Sequence, residues 1–319
     1  MTDMHTLAGQ LGWPVTRFSY QVPGEDRLTS TAVLSDSGLD ERPLVICLHG
    51  FPDNALTWRY QLAPLKAAGY RVVCPMLPGY EVASLTRDGT YRSRYSLVAV
   101  VRRAQALIDS IAAHYGQPEG SVHLVGHDWG ALTGYGLVQQ APHRFRSFTA
   151  LTIPYSLSLS QLVRKAPDYL RYAWYIQFFW LPLVPERVVP RKNWAFIDRL
   201  LRQWSPGWEM PAELRDSIKA TLAAPGVLEA ALGYYRAIPH PGKAGEASRK
   251  LMFSRLQVPC MQIQGDRDGC IPDSLWRLNQ PQAFTAGLDT HRLLAGHFPH
   301  QEDPDTFNRL LLEHISVGV

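Results

Sequence analysis

Six short runs of mostly apolar residues constrain what this chain can fold into. They are Pro43–Leu48, Arg71–Cys74, Val122–Val125, Phe148–Ile153, Cys260–Gln264 and Asp289–Leu294. A run without clear apolar–polar alternation is how a strand buried on both faces reads. Between the runs lie stretches with apolar residues at about helical spacing: Leu56–Ala68, Ser96–Tyr115, Ala131–Gln140, Asp273–Leu278 and Pro304–His314. Strands that alternate with helices make βαβ units, because parallel neighbours need a crossover. The fold class expected is therefore α/β, a mostly parallel central sheet with helices on both faces. Ahead of the first run, Thr16–Val22 and Thr29–Leu34 alternate and flank Pro23-Gly24-Glu25-Asp26. They predict an antiparallel hairpin at the edge of the sheet.

The alternation stops between Pro154 and Pro259. This interval has many prolines, a helical pattern and five of the nine tryptophans, Trp174, Trp180, Trp194, Trp204 and Trp208. We read it as a helical cap inserted between two strands, with residues 1–154 and 259–319 forming the core and residues 155–258 the cap. Open α/β sheets bind ligands outside the carboxyl ends of their strands, so an aromatic insertion there suits a lid over an apolar pocket.

Composition excludes several classes. The chain has 319 residues, is 46% hydrophobic and only 19% charged, which is too apolar for a disordered protein. The net charge of +4 is spread along the chain, and the densest basic group, Arg92, Arg94, Arg102 and Arg103, reads as a solvated face and not as a nucleic-acid patch. Cys47, Cys74, Cys260 and Cys270 lack metal-ligand spacing, so no metal is expected and the thiols read as reduced. The first thirty residues carry no apolar signal core. The longest apolar stretch, Ala173 to Val184, is too short for a membrane span and contains Gln177 and Pro182. The expectation is a cytoplasmic protein with a small hydrophobic substrate and no cofactor, with a homodimer left open.

Val122-His123-Leu124-Val125-Gly126-His127-Asp128-Trp129-Gly130-Ala131 carries the chemistry. A buried strand runs into Gly-x-Asp-x-Gly and a helical pattern follows at once. This is a nucleophile elbow: the central residue sits on a strained turn, and its neighbours two residues away lack side chains so that strand and helix can approach. The occupant is Asp128, where serine is usual. A carboxylate nucleophile suits displacement at an sp³ carbon, which gives an alkyl ester. The competing reading is a plain helix cap.

The partners follow in chain order. His49-Gly50-Phe51-Pro52-Asp53 closes the first run, and the Phe51 and Trp129 N–H groups are the candidate oxyanion hole. Gly265-Asp266-Arg267-Asp268 follows a late strand, with Asp268 the candidate acid and Asp266 expected to pair locally, for instance with Arg267. Gly296-His297 follows the last strand, with His297 the candidate base and His300 the fallback. The Asp268 carboxylate would fix the tautomer of His297. Candidate pocket residues are His49, Pro52, Trp174, Phe179, Tyr234 and Phe298.

His49-Gly50-Phe51-Pro52-Asp53, Gly126-His127-Asp128-Trp129-Gly130, Gly265-x-x-Asp268 and Gly296-His297 together resemble the epoxide hydrolase branch of the α/β-hydrolase superfamily. The resemblance implies an α/β-hydrolase fold, ring opening of a hydrophobic epoxide to a vicinal diol, and two cap tyrosines that protonate the epoxide oxygen. The family's first tyrosine precedes a Phe-Gln-type stretch, which Tyr175-Ile176-Gln177-Phe178-Phe179-Trp180 matches except that Trp180 stands where the family has Gln. The second precedes an arginine, as in Gly233-Tyr234-Tyr235-Arg236, which gives Tyr235 with Tyr234 the alternative. Haloalkane dehalogenases share the Asp128-Trp129 pair, but have Asn or Glu at the position of Phe51; here a cap tryptophan such as Trp174 or Trp204 would have to donate to the halide instead. Fluoroacetate dehalogenases place arginines after the nucleophile, where this chain has Trp129-Gly130-Ala131. A binding protein on an inactive hydrolase scaffold would lack one of Asp128, Asp268 and His297.

Overall fold

The computed structural model describes residues 3–35, 42–87, 90, 93–155, 164–238, 243–251 and 254–316. Its centre is an eight-stranded sheet. The strands are β1 (Val15–Gln21), β2 (Leu28–Ser35), β3 (Leu44–Leu48), β4 (Arg71–Pro75), β5 (Val122–His127), β6 (Phe145–Leu151), β7 (Cys260–Gly265) and β8 (Leu288–Leu293). Their order is β1-β2-β4-β3-β5-β6-β7-β8. β1 and β2 form the antiparallel hairpin expected at the edge, β2 runs antiparallel to β4, and all other pairs are parallel.

Every residue of β3, β4, β5 and β7 is buried, as continuous apolar runs require of central parallel strands. β8 differs. Its burial was read from the sequence as that of an inner strand, yet only Leu293 is buried, because β8 is the outer strand of the sheet. Helices Leu97–His114 and Trp129–Gln140 pack together as one layer, and helices Arg59–Ala67 and Pro304–Ser316 as another. In Leu97–His114 the buried residues Val100, Val101, Ala104, Leu107, Ile108 and Ile111 recur at the 3- and 4-residue spacing of a single helix face.

Register positions the functional ends. Leu48 pairs with Gly126, Leu151 with His127 and with Ile263, and Gly265 with Leu293. The segments that leave β3, β5, β7 and β8 therefore emerge along one rim of the sheet.

Two expectations change. Arg103 is not on a solvated face: it is buried, and its Nη2 lies 2.8 Å from Oε1 of the buried Glu25, which also binds Arg102 at 2.8 Å. A charge inside the protein is retained by pairing, and the hairpin turn supplies the partner; Arg92 lies outside the described residues. Asp266 pairs not with Arg267 but with Arg292 of β8, at 2.6 Å, because β7 and β8 lie side by side. The short helix Met4–Gln10, capped by Asp3, was not foreseen, because seven residues give too little periodicity to read.

Between Leu151 and Cys260 the described residues form helices Tyr169–Tyr172, Trp174–Phe179, Val184–Val188, Arg191–Trp204, Ala212–Ala223, Val227–Arg236 and Lys243–Leu251, with no named strand. In Arg191–Trp204 the residues Ile197, Leu200, Leu201 and Trp204 are buried at spacings of 3, 4 and 7, so one stripe faces the protein. Each large apolar side chain buried in this way contributes about 1.5–3 kcal/mol. Among the described residues no helix is long and apolar enough to cross a membrane.

Candidate active site

Asp128 follows β5 with φ 51° and ψ −116°, a region that costs a residue other than glycine about 1–3 kcal/mol. The turn is as tight as the sequence pattern requires. A Cβ on Gly126 would overlap the carbonyl of Gly130, and one on Gly130 would overlap the carbonyl of Leu48. Asp128 makes no side-chain capping bond to its own helix. Its carboxylate is aimed elsewhere: the Phe51 N–H donates to Oδ1 at 2.8 Å.

The other oxygen, Oδ2, faces Nε2 of His297 at 3.7 Å. On the far side of the ring, Nδ1 donates to Oδ2 of Asp268 at 2.9 Å. Asp268 is itself held, since its Oδ1 accepts the N–H groups of Cys270 at 2.7 Å and Ile271 at 2.9 Å. These bonds fix the Nδ1–H tautomer and leave Nε2, which has no hydrogen-bond partner, directed at Asp128. Burial opposes a charge on His297, but the carboxylates of Asp268 and Asp128 outweigh it and push the ring up to about 10.

Aromatic rings enclose this group. Tyr235 meets Phe179 at 5.1 Å between centroids, Trp129 at 5.2 Å, Phe51 at 5.3 Å and Tyr175 at 5.7 Å. The Tyr235 hydroxyl is buried and makes no hydrogen bond among the described residues. The Tyr175 hydroxyl lies 3.3 Å from Sγ of Cys270. Burial pushes both phenols well above the ordinary tyrosine value, and the charge of Asp128 adds to the effect, so both hold their protons.

The tandem tyrosines project differently from one helix. Tyr234 donates to the Pro78 carbonyl at 2.6 Å and stacks on Tyr95, so its hydroxyl is already engaged outside this group. Of the other pocket candidates, Phe179 lies among the rings and Pro52 is buried beside Phe51. His49 does not offer its ring to a ligand: Nδ1 bonds the Gly50 carbonyl at 2.9 Å and Nε2 accepts the Leu77 N–H at 3.0 Å, so it braces the turn. Trp174 packs on Phe196 and Arg199 and donates to Gln203. Phe298 packs against His127, His297 and Trp208. His300, the fallback base, bonds Thr57 at 2.7 Å and is held neutral by burial.

Two residues of the site, Cys270 and Trp180, were not singled out for it, and Trp204 only as an alternative halide donor. Trp204 lies edge-on to His297 at 5.1 Å and packs on Tyr175 at 4.9 Å. Cys270 read only as a reduced thiol, although it lies two residues from Asp268. The Trp180 indole donates to the Tyr235 carbonyl at 3.0 Å and so fixes the helix turn that presents Tyr235. Asp268, Cys270 and His297 offer an oxygen, a sulfur and a nitrogen within 4.8 Å, the one such donor group found among the described residues, and the first and last already bond each other.

The comparisons agree with this architecture. Chain-wide similarity extends to the AB hydrolase superfamily protein YfhM of Bacillus subtilis, 26% identical over 89% of this chain and 94% of that protein. Epoxide hydrolase 4 of Homo sapiens is 23% identical over 85% of this chain and 71% of its own length. The crystal structure of Epoxide Hydrolase A from Mycobacterium thermoresistibile superposes with a TM-score of 0.70 at 22% identity, covering 96% of this chain and 99% of the other. Residues 45–310, which include all but the first residue of β3, all of β4 through β8 and every residue of the site described above, match the model of the alpha/beta hydrolase family, and the chain belongs to that family.

Proposed function

We propose that the protein is an epoxide hydrolase that converts a hydrophobic epoxide to a vicinal diol through an ester on Asp128. The observation that carries this reading is the pair of buried, proton-bearing phenols, Tyr175 and Tyr235, set among the residues around Asp128 and His297. Ring opening leaves an alkoxide, which is too basic to form without a proton donor, and a general acid contributes about 10²–10⁴ in rate. The names of the relatives support the same substrate class.

Oδ1 of Asp128 is held by the Phe51 N–H, so Oδ2 is the free nucleophile. It attacks a ring carbon, the C–O bond breaks, and the oxygen takes a proton from Tyr235 or Tyr175. Esterification removes the charge of Asp128, one of the influences that keep His297 protonated, so the ring releases its proton to solvent and regains it when Asp128 is ionised again at the end of the cycle. His297 then accepts a proton from water as that water adds to Cγ of Asp128. The developing oxyanion on Oδ1 is held by the N–H groups of Phe51 and Trp129. Collapse breaks the Cγ–Oδ2 bond and releases the diol, which carries away Oδ2 and takes the proton from His297. The proton left on the new carboxyl restores the phenol. Residues 155–258 act as the cap that carries both phenols and keeps the site apolar. The reaction uses water and no cofactor.

One observation favours a second reading. The indole Nε1 of Trp204 is buried without a hydrogen-bond partner, and with Trp129 it would give two donors for a halide. A panel of aryl and alkyl epoxides and of haloalkanes separates the two. Diol from epoxides without halide release supports the proposal, and halide without diol overturns it.

A further inference from the structure

The backbone that carries His297 is gripped by two side chains from outside the catalytic group. Glu302 accepts the Gly296 N–H at 2.7 Å on Oε2 and the Phe298 N–H at 3.0 Å on Oε1. The Ser205 hydroxyl donates to the same Oε1 at 2.7 Å and accepts the His297 N–H at 2.9 Å. The three successive amides around the base are therefore all held by one carboxylate and one buried hydroxyl. Ser205 belongs to the insertion, directly after helix Arg191–Trp204. Its neighbour Trp204 accepts N–H groups from both His297, at 3.1 Å, and Gly269, next to Asp268, at 3.0 Å. The approach is close enough that a Cβ on Gly296 would lie 2.5 Å from Cα of Ser205.

We propose that Ser205 and Glu302 are positioning residues for His297, and that they set the rate of ester hydrolysis without affecting ester formation. The argument is geometric. Nδ1 and Nε2 of His297 must reach Asp268 on one side and a water near Asp128 on the other, and the backbone at residues 296–298 sets that reach. A carboxylate is the one side chain that accepts on both oxygens. Glutamine at 302 would turn an NH₂ group toward one of the amide donors, which shifts the loop. Alanine at 205 removes the shorter of the two acceptors of the His297 N–H, leaving the Trp204 carbonyl, and also removes a donor to Glu302. A shift of about 1 Å in a reacting group can lower a rate about 10²-fold. The first half-reaction uses Asp128 and the phenols, none of which these bonds hold.

The inference rests on the ester mechanism proposed above, and Ser205→Ala and Glu302→Gln test it in two ways. Without substrate, the His297 ring is titrated by NMR in the histidine-labelled enzyme. Both variants are expected to lower its value from that of the wild type while His123, remote on β5, is unchanged. In single turnover with an epoxide that the wild type opens, the rate of ester formation should stay within about twofold. Hydrolysis should slow at least about tenfold, with the ester-bearing protein accumulating in acid-quenched mass spectra. An unchanged His297 titration with unchanged hydrolysis overturns the proposal, as does an equal loss in both half-reactions that tracks loss of folded protein. Failure of the wild type to form any ester would instead overturn the mechanism above, and the titration would still decide the positioning role. Ser205→Ala is the milder change and serves if Glu302→Gln does not fold.

Discussion

Tyr235→Phe should make the protein more stable and much less active. The Tyr235 ring is almost fully buried among Phe51, Trp129, Tyr175 and Phe179. The hydroxyl has no hydrogen-bond partner among the described residues. Leaving such a group buried and unsatisfied costs about 1–3 kcal/mol, and phenylalanine removes that cost while keeping the ring. Unfolding entropy of about 2.1 cal/mol/K per residue over this chain converts that gain into a rise in Tm of roughly 1.5–4.5 °C. Loss of a general acid should slow ester formation by about 10²–10⁴. Calorimetry and single-turnover kinetics on the same preparations check both halves. A lower Tm would show that the hydroxyl has a partner in the fold, and a rate within about threefold of wild type would refute its role as an acid.

Replacing the base with His297→Gln should leave ester formation intact and stop hydrolysis, so that acid-quenched protein carries one substrate mass; its absence would count against His297. Asp128→Asn removes one of the two carboxylates that raise His297, so the ring, near 10 in the wild type, should titrate lower by NMR, and an unmoved value would refute the pairing. The same linkage has a stability signature. Because the folded value lies above the ordinary 6.5, this pairing contributes fully below pH 6.5 and is lost as pH rises toward 10, and Asp128→Asn should shrink that loss in pH-dependent urea melts. Glu25→Gln should cost about 3–5 kcal/mol in urea unfolding, because it leaves the buried Arg103 without its counter-charge. A loss under about 1 kcal/mol would mean that water or another group solvates Arg103.

What could be read from the sequence follows from how local each signal is. The central parallel strands were legible because burial on both faces leaves short, mostly apolar runs without regular polar alternation. Asp128 was legible because its turn needs glycines at fixed offsets on both sides, and Phe51, Asp268 and His297 because each follows a strand directly. Other features depend on contacts between distant segments, which no window of sequence contains. The exposure of β8 depends on its being the outer strand. The pairing of Arg103 with Glu25 depends on the hairpin folding back over helix Leu97–His114. The choice between Tyr234 and Tyr235 needed the helix rotation, which places one hydroxyl on the Pro78 carbonyl and the other ring beside Phe51. His49 looked like a pocket residue from its place in the motif, and only the Leu77 and Gly50 backbone shows that its ring serves the turn.

The central claim is that Asp128 attacks carbon and then gives up one of its own oxygens. Single turnover in ¹⁸O-labelled water, with excess enzyme, tests it directly by mass spectrometry of the Asp128 peptide and of the diol. The account predicts one ¹⁸O in the peptide and an unlabelled diol. A labelled diol with an unlabelled peptide would mean that water attacks the substrate itself, and would contradict it.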